Sequence, residues 1–314
     1  HCLTLSKDIL RQAEECVSQI FTARSHPEYL QAILSSTHES ELYSDPGNNS
    51  IMMSYDFHID SNQNLKLIEI NTNAAFMLLG LILYKTHNKA LPISFDETTL
   101  HENILNEIEL CLGHQKLIQP TIIDENPTEQ KLWVEFLMFK TWLERWGYDA
   151  KICDYRDIDL KTTNFIYNRY CDFYLSDKTS QKLKQAFESR KVCFSPNPYE
   201  YHLLANKSRL QALEKYAPNY ILKTQDLTPE KAENLWSNRK NLFFKPKTSY
   251  GSKQSYRGEK ISRKLFGNLI NEGFIAQEFC PPPEVSLSTP EGSKDFKYDL
   301  RFYAYQGQLQ GVLA

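Results

Sequence analysis

The chain has no C-x-x-C pair, no block of basic residues, no apolar run long enough to cross a bilayer and no internal repeat, and each absence removes a class of function. Its seven cysteines (Cys2, Cys16, Cys111, Cys153, Cys171, Cys193, Cys280) are scattered and odd in number. That argues against both a disulfide framework and a zinc site. Reduced thiols in a cytoplasmic protein are the expectation, and the sequons at Asn48 and Asn206 would matter only after secretion. The formal net charge of -3, with no lysine or arginine cluster, offers a nucleic-acid backbone or an anionic membrane no strong long-range attraction. Neither is expected as a partner. The longest apolar run, AAFMLLGLIL from Ala74 to Leu83, is about half the roughly 20 residues of a transmembrane helix and reads as a buried helix. No n-region, h-region and cleavage site opens the chain, which starts at His1 rather than methionine. A convincing Ser-His-Asp or Cys-His arrangement is also missing.

What is present is an ordinary globular composition, 41% hydrophobic and 24% charged over 314 residues, enough for two or three domains. A folded enzyme or binding protein is expected, with a homodimer compatible. Ile9, Leu10, Ala13, Val17, Ile20 and Phe21 mark an amphipathic helix over 6–22. Two β-rich runs, IMMSYDFHI and LKLIEIN, flank the turn text DSNQN and predict a hairpin. The region 74–112 reads as helical with a break at Pro92. From Leu117 short strands (LIQPTIID, AKICDY, NFIYNRY, VCFSP) alternate with helices, which predicts an open, largely parallel α/β sheet. One of those helices is expected over 128–146, capped by Thr128 and ended by Gly147. From Tyr220 a third block runs strand YILK, helix TPEKAENLWS, strand LFFKP, a loop, helix SRKLFGNLI, strand FIAQEF, then YDLRFYAY and GQLQGVLA.

The hairpin carries the clearest chemistry. If SYDFHI and LKLIEIN pair antiparallel with Asp56 opposite Glu69, the midpoint falls between Asn62 and Gln63, inside the independently expected turn. Alternation then places Asp56, Glu69 and Asn71 on one face. Two opposed carboxylates repel unless something positive lies between them, and an oxygen-only set with one amide suits Mg2+ or Mn2+. The alternative is that Glu69 faces water and Asn71 caps the following helix.

In the last third, LFFKPKTSYGSKQSYRGEK puts Lys245 at a strand end before a polar loop with Tyr250, Gly251, Ser252 and Lys253, an arrangement suited to clamping phosphate or to an ordinary solvated hairpin. FIAQEFCPPPEV offers Gln277, Glu278 and Phe279 as a backbone edge for a purine and Glu284 as an acceptor for ribose hydroxyls, or else a sheet edge ended by prolines. In YDLRFYAY, Asp299 and Arg301 share a strand face, so that Arg301 either binds phosphate or pairs with Asp299. Arg169 and Asp172 in YNRYCDFYL sit near a predicted strand end and either touch substrate or form an ion pair.

The order of these motifs resembles the ATP-grasp superfamily in circularly permuted form. It is distantly similar to glutathione synthetase and glutathionylspermidine synthetase. It is more similar to uncharacterised proteobacterial proteins with YDFH, LIEINTN, ANKSRL, FFKP, YGSK and YRG motifs. The resemblance runs from about Met52 onward. It implies an α/β ATP-grasp fold with metal-binding hairpin in 1–115, an inserted Rossmann-like pre-ATP-grasp domain in 116–198 carrying substrate contacts, and a nucleotide-binding part in 199–314. It further implies ATP and Mg2+ as cofactors, with Asp56, Glu69 and Asn71 as metal ligands. Lys207, in the expected helix EYHLLANKSRLQAL, and Lys245 match ATP lysines. Gln277 to Phe279 match the adenine linker, Glu284 the ribose acceptor and Arg301 a phosphate-facing arginine. The implied activity is ligation of a carboxylate to an amine through an acylphosphate. A kinase on the same scaffold and a non-catalytic nucleotide-binding protein are the alternatives. The sequence departs from the family where Ala74, Ala75 and Phe76 replace the usual glycines. It also stops at Ala314, where relatives continue with further site elements, so part of the active site is expected to lie outside it.

Overall fold

The computed structural model describes residues 3–34, 44–93, 95–248 and 254–314. The Ser6 hydroxyl accepts a hydrogen bond from the Ile9 N–H at 3.2 Å and starts α1 (Lys7–Ala23), which buries Ile9, Ala13, Val17 and Ile20 of the expected stripe together with Cys16 and leaves Leu10 and Phe21 half-buried. Helix α2 (Pro27–Leu34) follows. Strands β1 (Met53–Ile59) and β2 (Leu65–Asn71) form the expected antiparallel hairpin. Its turn is held by Asp60, whose carboxylate accepts from the N–H groups of Asn62 and Asn64 at 2.8 and 2.9 Å. Asp56 stands opposite Glu69; one step on, Phe57 pairs with Leu67, so Ile68 bulges out of the ladder.

Helices α3 (Met77–Thr86) and α4 (Glu97–Leu112) lie either side of Pro92. The Ala74 to Leu83 run is not a fully buried helix: Met77, Leu78 and Leu81 are covered, but Phe76, Ile82 and Leu83 are 41%, 45% and 46% exposed. The alternating region yields β3 (Thr121–Asp124), α5 (Trp133–Arg145), β4 (Lys151–Asp154), β5 (Phe165–Asn168), α6 (Gln181–Glu188) and β6 (Cys193–Ser195). The strands form a parallel sheet of order β4-β3-β5-β6. Thr128 does not cap α5. Pro127 starts a single tight turn (Pro127–Glu129), Gln130 turns extended, and the helix begins at Trp133.

Next come α7 (Pro198–Glu200), which continues as a wide turn (Tyr201–Ala205), and α8 (Arg209–Leu213). The helix expected through EYHLLANKSRLQAL is therefore broken. Asn206 is extended, and its side-chain oxygen accepts from the Ser208 N–H and hydroxyl at 3.1 and 2.8 Å, competing with the helical ladder. The strand expected at YILK reduces to one bridge, Leu67 to Ile221, ahead of β7 (Thr224–Asp226). Then follow α9 (Ala232–Ser237), β8 (Leu242–Pro246), β9 (Tyr256–Arg257), α10 (Arg263–Leu269) and β10 (Phe274–Glu278). These strands make an antiparallel sheet of order β7-β10-β8-β9.

An exposed hairpin, β11 (Glu284–Thr289) and β12 (Gly292–Lys297), precedes β13 (Leu300–Tyr305) and β14 (Gln308–Leu313). The last two strands return to the first hairpin in a sheet of order β14-β13-β1-β2. Tyr55 and Phe57 of β1 and Phe302 of β13 are buried against α1 in the largest core cluster. Strand alternation sends Ser54, Asp56 and His58 to the other face.

Candidate functional site

That other face is polar and is fed by five separate segments. Across the β1–β13 ladder Asp56 faces Arg301, whose Nε and Nη2 donate to the two carboxylate oxygens at 2.8 and 2.6 Å. Asn71 donates from Nδ2 to Asp56 at 3.2 Å and to Glu69 at 3.3 Å, tying the pair together. Lys207, in the break after α7, brings its Nζ to 3.8 Å from Glu69; its own N–H donates to the Lys247 carbonyl at 3.0 Å, which fixes it beside the end of β8. The bulge at Ile68 frees a carbonyl that accepts from Lys245 Nζ of β8 at 3.0 Å and from Gln277 Nε2 of β10 at 3.5 Å. One irregularity in the hairpin thus anchors the central sheet lysine.

The charges on this face hold one another in place. Burial pushes Glu69 up, but Lys207, Lys245, Asn71 and Arg301 outweigh it and keep the carboxylate below its usual range. Asp56 moves up, because burial and the neighbouring Glu69 and Asp299 prevail over Arg301. Burial lowers Lys245 to about 8, with Glu69 opposing and Lys207 reinforcing. Lys207 is lowered by burial against the pull of Glu69. His58 extends the network: burial would lower it, but hydrogen bonds to Asp299 and the Cys280 carbonyl, both at 2.7 Å, raise it to about 9.

Of the residues singled out by sequence, Asp56, Glu69, Asn71, Lys207, Lys245, Gln277 and Arg301 meet here. The pair suggested between Asp299 and Arg301 does not form: each crosses to β1, Asp299 to His58 and Arg301 to Asp56. Among the described residues no cluster of three or more acidic, histidine or cysteine side chains could hold a metal. Both Asp56 oxygens accept from Arg301 at 2.6 and 2.8 Å, whereas Glu69 meets Asn71 and Lys207 only at 3.3 and 3.8 Å, which leaves Glu69 and the Asn71 side-chain oxygen as the more open oxygen groups. Such a sparse set suits Mg2+, which keeps several waters and takes phosphate oxygens.

The N–H groups of Glu278 and Phe279 are not an open edge. They donate to the carbonyls of Lys223 and Asn241, both at 2.8 Å. Glu284 is exposed on β11 with Lys297 at 3.7 Å. Arg169 is buried, with Nη1 donating to the Asn73 carbonyl at 3.0 Å, the Asn73 side chain and the Ala74 carbonyl at 2.7 Å, so it staples β5 to the segment after β2. It does not pair with Asp172, whose carboxylate accepts from the N–H groups of Ser176 and Asp177 and from the Ser180 hydroxyl. Tyr250, Gly251, Ser252 and Lys253 lie outside the described residues. Sequence reasoning gave no role to His58, although its position two residues after Asp56 put it on the same face.

No protein-family model and no curated protein matches the chain. Similar solved structures include a "Putative gamma-glutamylcysteine synthetase" from Methylobacillus flagellatus (TM-score 0.49, 10% identity, 99% of this chain and 83% of that one). The D-cycloserine synthetase DcsG is similar at TM-score 0.39 and 15% identity over 51% of this chain and 58% of that one. The ATP-grasp ligase PsnB with a minimal precursor is similar at TM-score 0.35 and 10% identity over 63% and 91%. Of these neighbours, PsnB is itself called an ATP-grasp ligase. No helix among the described residues is long and apolar enough to cross a membrane.

Proposed function

We propose that the chain is an ATP- and Mg2+-dependent carboxylate–amine ligase of circularly permuted ATP-grasp type, with 116–198 as its substrate domain. The observation that carries the proposal is the convergence of Lys207, Lys245 and Arg301 on the Glu69–Asn71 end of one hairpin. Three cations brought from three separate segments to one strand end suit a polyphosphate. Glu69 and Asn71 would hold the metal, which supplies charge neutralisation of the phosphates. Asp56 orients Arg301 rather than binding metal itself. Lys207 and Lys245 screen the phosphate oxygens while a substrate carboxylate oxygen attacks the γ-phosphorus, breaking its bond to the β-phosphate oxygen and releasing ADP. The amine nitrogen then attacks the acyl carbon, inorganic phosphate leaves with the C–O electron pair, and the ammonium proton passes to solvent. Positioning and charge screening do the work, without a covalent enzyme nucleophile.

The single glycine, Gly251, in the sequence between β8 and β9 favours a second reading, a non-catalytic nucleotide-binding protein. A kinase would share the first step but leave phosphate on its product. Calorimetry with ATP, with and without Mg2+, on the wild type and on a Glu69→Ala, Asn71→Ala double variant tests the proposal. Metal-dependent binding lost in the variant supports it, and no ATP binding by the wild type overturns it. Bound ATP with no ADP formed across a panel of acids and amines leaves the non-catalytic reading.

A further inference from the structure

The polar face continues sideways into a cavity of about 1120 Å³, lined in part by Arg301 and Tyr303 of β13, Leu313 of β14, Leu83 of α3 and Phe296 of β12. Ladder register puts Arg301 directly opposite both Asp56 on one side and Leu313 on the other. A single sheet face therefore grades from carboxylate and amide on β2, through the guanidinium on β13, to apolar side chains on β14 and α3. Phe76, Leu83 and Phe296 all line this cavity, and they stand 41%, 46% and 42% exposed. Large apolar groups left in contact with water around one concavity mark a binding site. Among the charged side chains lining it, Lys89, Lys297 and Arg301 outnumber Asp299, with Lys297 3.7 Å from Glu284 and Arg301 held by Asp56.

From this gradient we propose that the cavity receives the apolar body of an amphiphilic carboxylic acid, with its carboxylate at Arg301 beside the lysine cluster. This deepens the ligase reading and rests on it for the fate of the carboxylate. A small polar acid would leave the apolar wall uncovered. An apolar amine would meet like charge at the mouth. A tail of several methylenes lies along Leu83, Phe296 and Leu313 while its head reaches the face where phosphate is held.

The test is calorimetric titration of the full chain with butyrate, hexanoate and decanoate, and with decylammonium as the charge-reversed control, on the wild type and on Leu83→Glu and Phe296→Ser. Burial of a tail predicts affinity rising about two- to fourfold per added methylene. It also predicts weak decylammonium binding and a loss of most of the chain-length gain in Leu83→Glu. Leu83 is on the open side of its helix, so Phe296→Ser is a second check on a separate hairpin should the first variant fold poorly. Affinity independent of chain length, equal binding of the amine, or binding unaffected by both substitutions overturns the proposal. A wild-type dimer split by Leu83→Glu without decanoate binding overturns it too, making the cavity a subunit interface. Chain-length dependence without any ATP binding leaves the cavity standing and removes the ligase reading. ATP binding with no chain-length dependence does the reverse.

Discussion

Replacing Lys245 by methionine is expected to stabilise the protein while weakening nucleotide binding. The ammonium is almost fully buried, and burial brings its pKa from 10.5 to about 8. At about 1.4 kcal/mol per pKa unit, holding the charge there at pH 7 costs about 3 kcal/mol relative to the unfolded chain. Methionine retains the apolar stem but gives up the hydrogen bond to the Ile68 carbonyl, a charged-donor bond of about 1.5–2 kcal/mol. That carbonyl keeps Gln277 as a partner, and Glu69 keeps Lys207 and Arg301. The balance is a gain of about 1 kcal/mol, read as an upward shift of the urea midpoint at pH 7. The folded wild type releases the proton near pH 8 and the unfolded chain near 10.5, so wild-type stability rises across that window and the variant's does not. ATP affinity should fall at least tenfold. Destabilisation by more than about 1 kcal/mol with unchanged ATP affinity would refute the reasoning, because Lys245 would then be a structural staple.

Arg301→Lys cannot keep the two-point contact with Asp56, so a loss of about 2 kcal/mol in urea unfolding is expected, with the Asp56 carboxyl titrating still higher by carbon NMR. Glu107 is fully buried among Asn48, the Asn49 N–H and Tyr305, and burial raises it to about 7 against those hydrogen bonds. Wild-type stability should therefore fall by up to about 3 kcal/mol as pH rises from 4.5 to 7, and Glu107→Gln should flatten that slope in denaturation midpoints. A Cβ on Gly258 would fall onto the Arg239 carbonyl oxygen and 2.9 Å from that of Leu242, so Gly258→Ala should cost more than about 2 kcal/mol by the same assay. Arg169→Met strips the Asn73 and Ala74 carbonyls of their donor and should cost about 3 kcal/mol; if a thermal melt shows none, the staple between β5 and β2 carries no weight.

The hairpin was legible because its signals are local. A turn-rich loop flanked by alternating runs fixes which residues face each other, and Asp56 did come opposite Glu69. The bulge at Ile68 was not legible, since nothing in LKLIEIN marks an extra residue, and the partners of its carbonyl, Lys245 and Gln277, arrive from far along the chain. The same reason hid the partners of Arg301. Period-two spacing allowed a pair with Asp299, but cross-strand register, set by β1, decided for Asp56. The break at Asn206 was missed because apolar spacing continued through it while an asparagine side chain captured the next turn. The parallel sheet was visible as alternation, whereas the precise start of α5 depended on Pro127.

The sheet that carries the site joins the first hairpin to the last, so the Asp56–Arg301 contact closes a separation of 245 residues. Closing a loop of that length costs about 5 kcal/mol of chain entropy before any contact is made. The hairpin and the parallel sheet can form while synthesis is still under way, but Asp56 stays without its guanidinium until β13 has emerged and docked. In a partly made chain the charge cluster is thus incomplete, and it closes as one of the last events of folding.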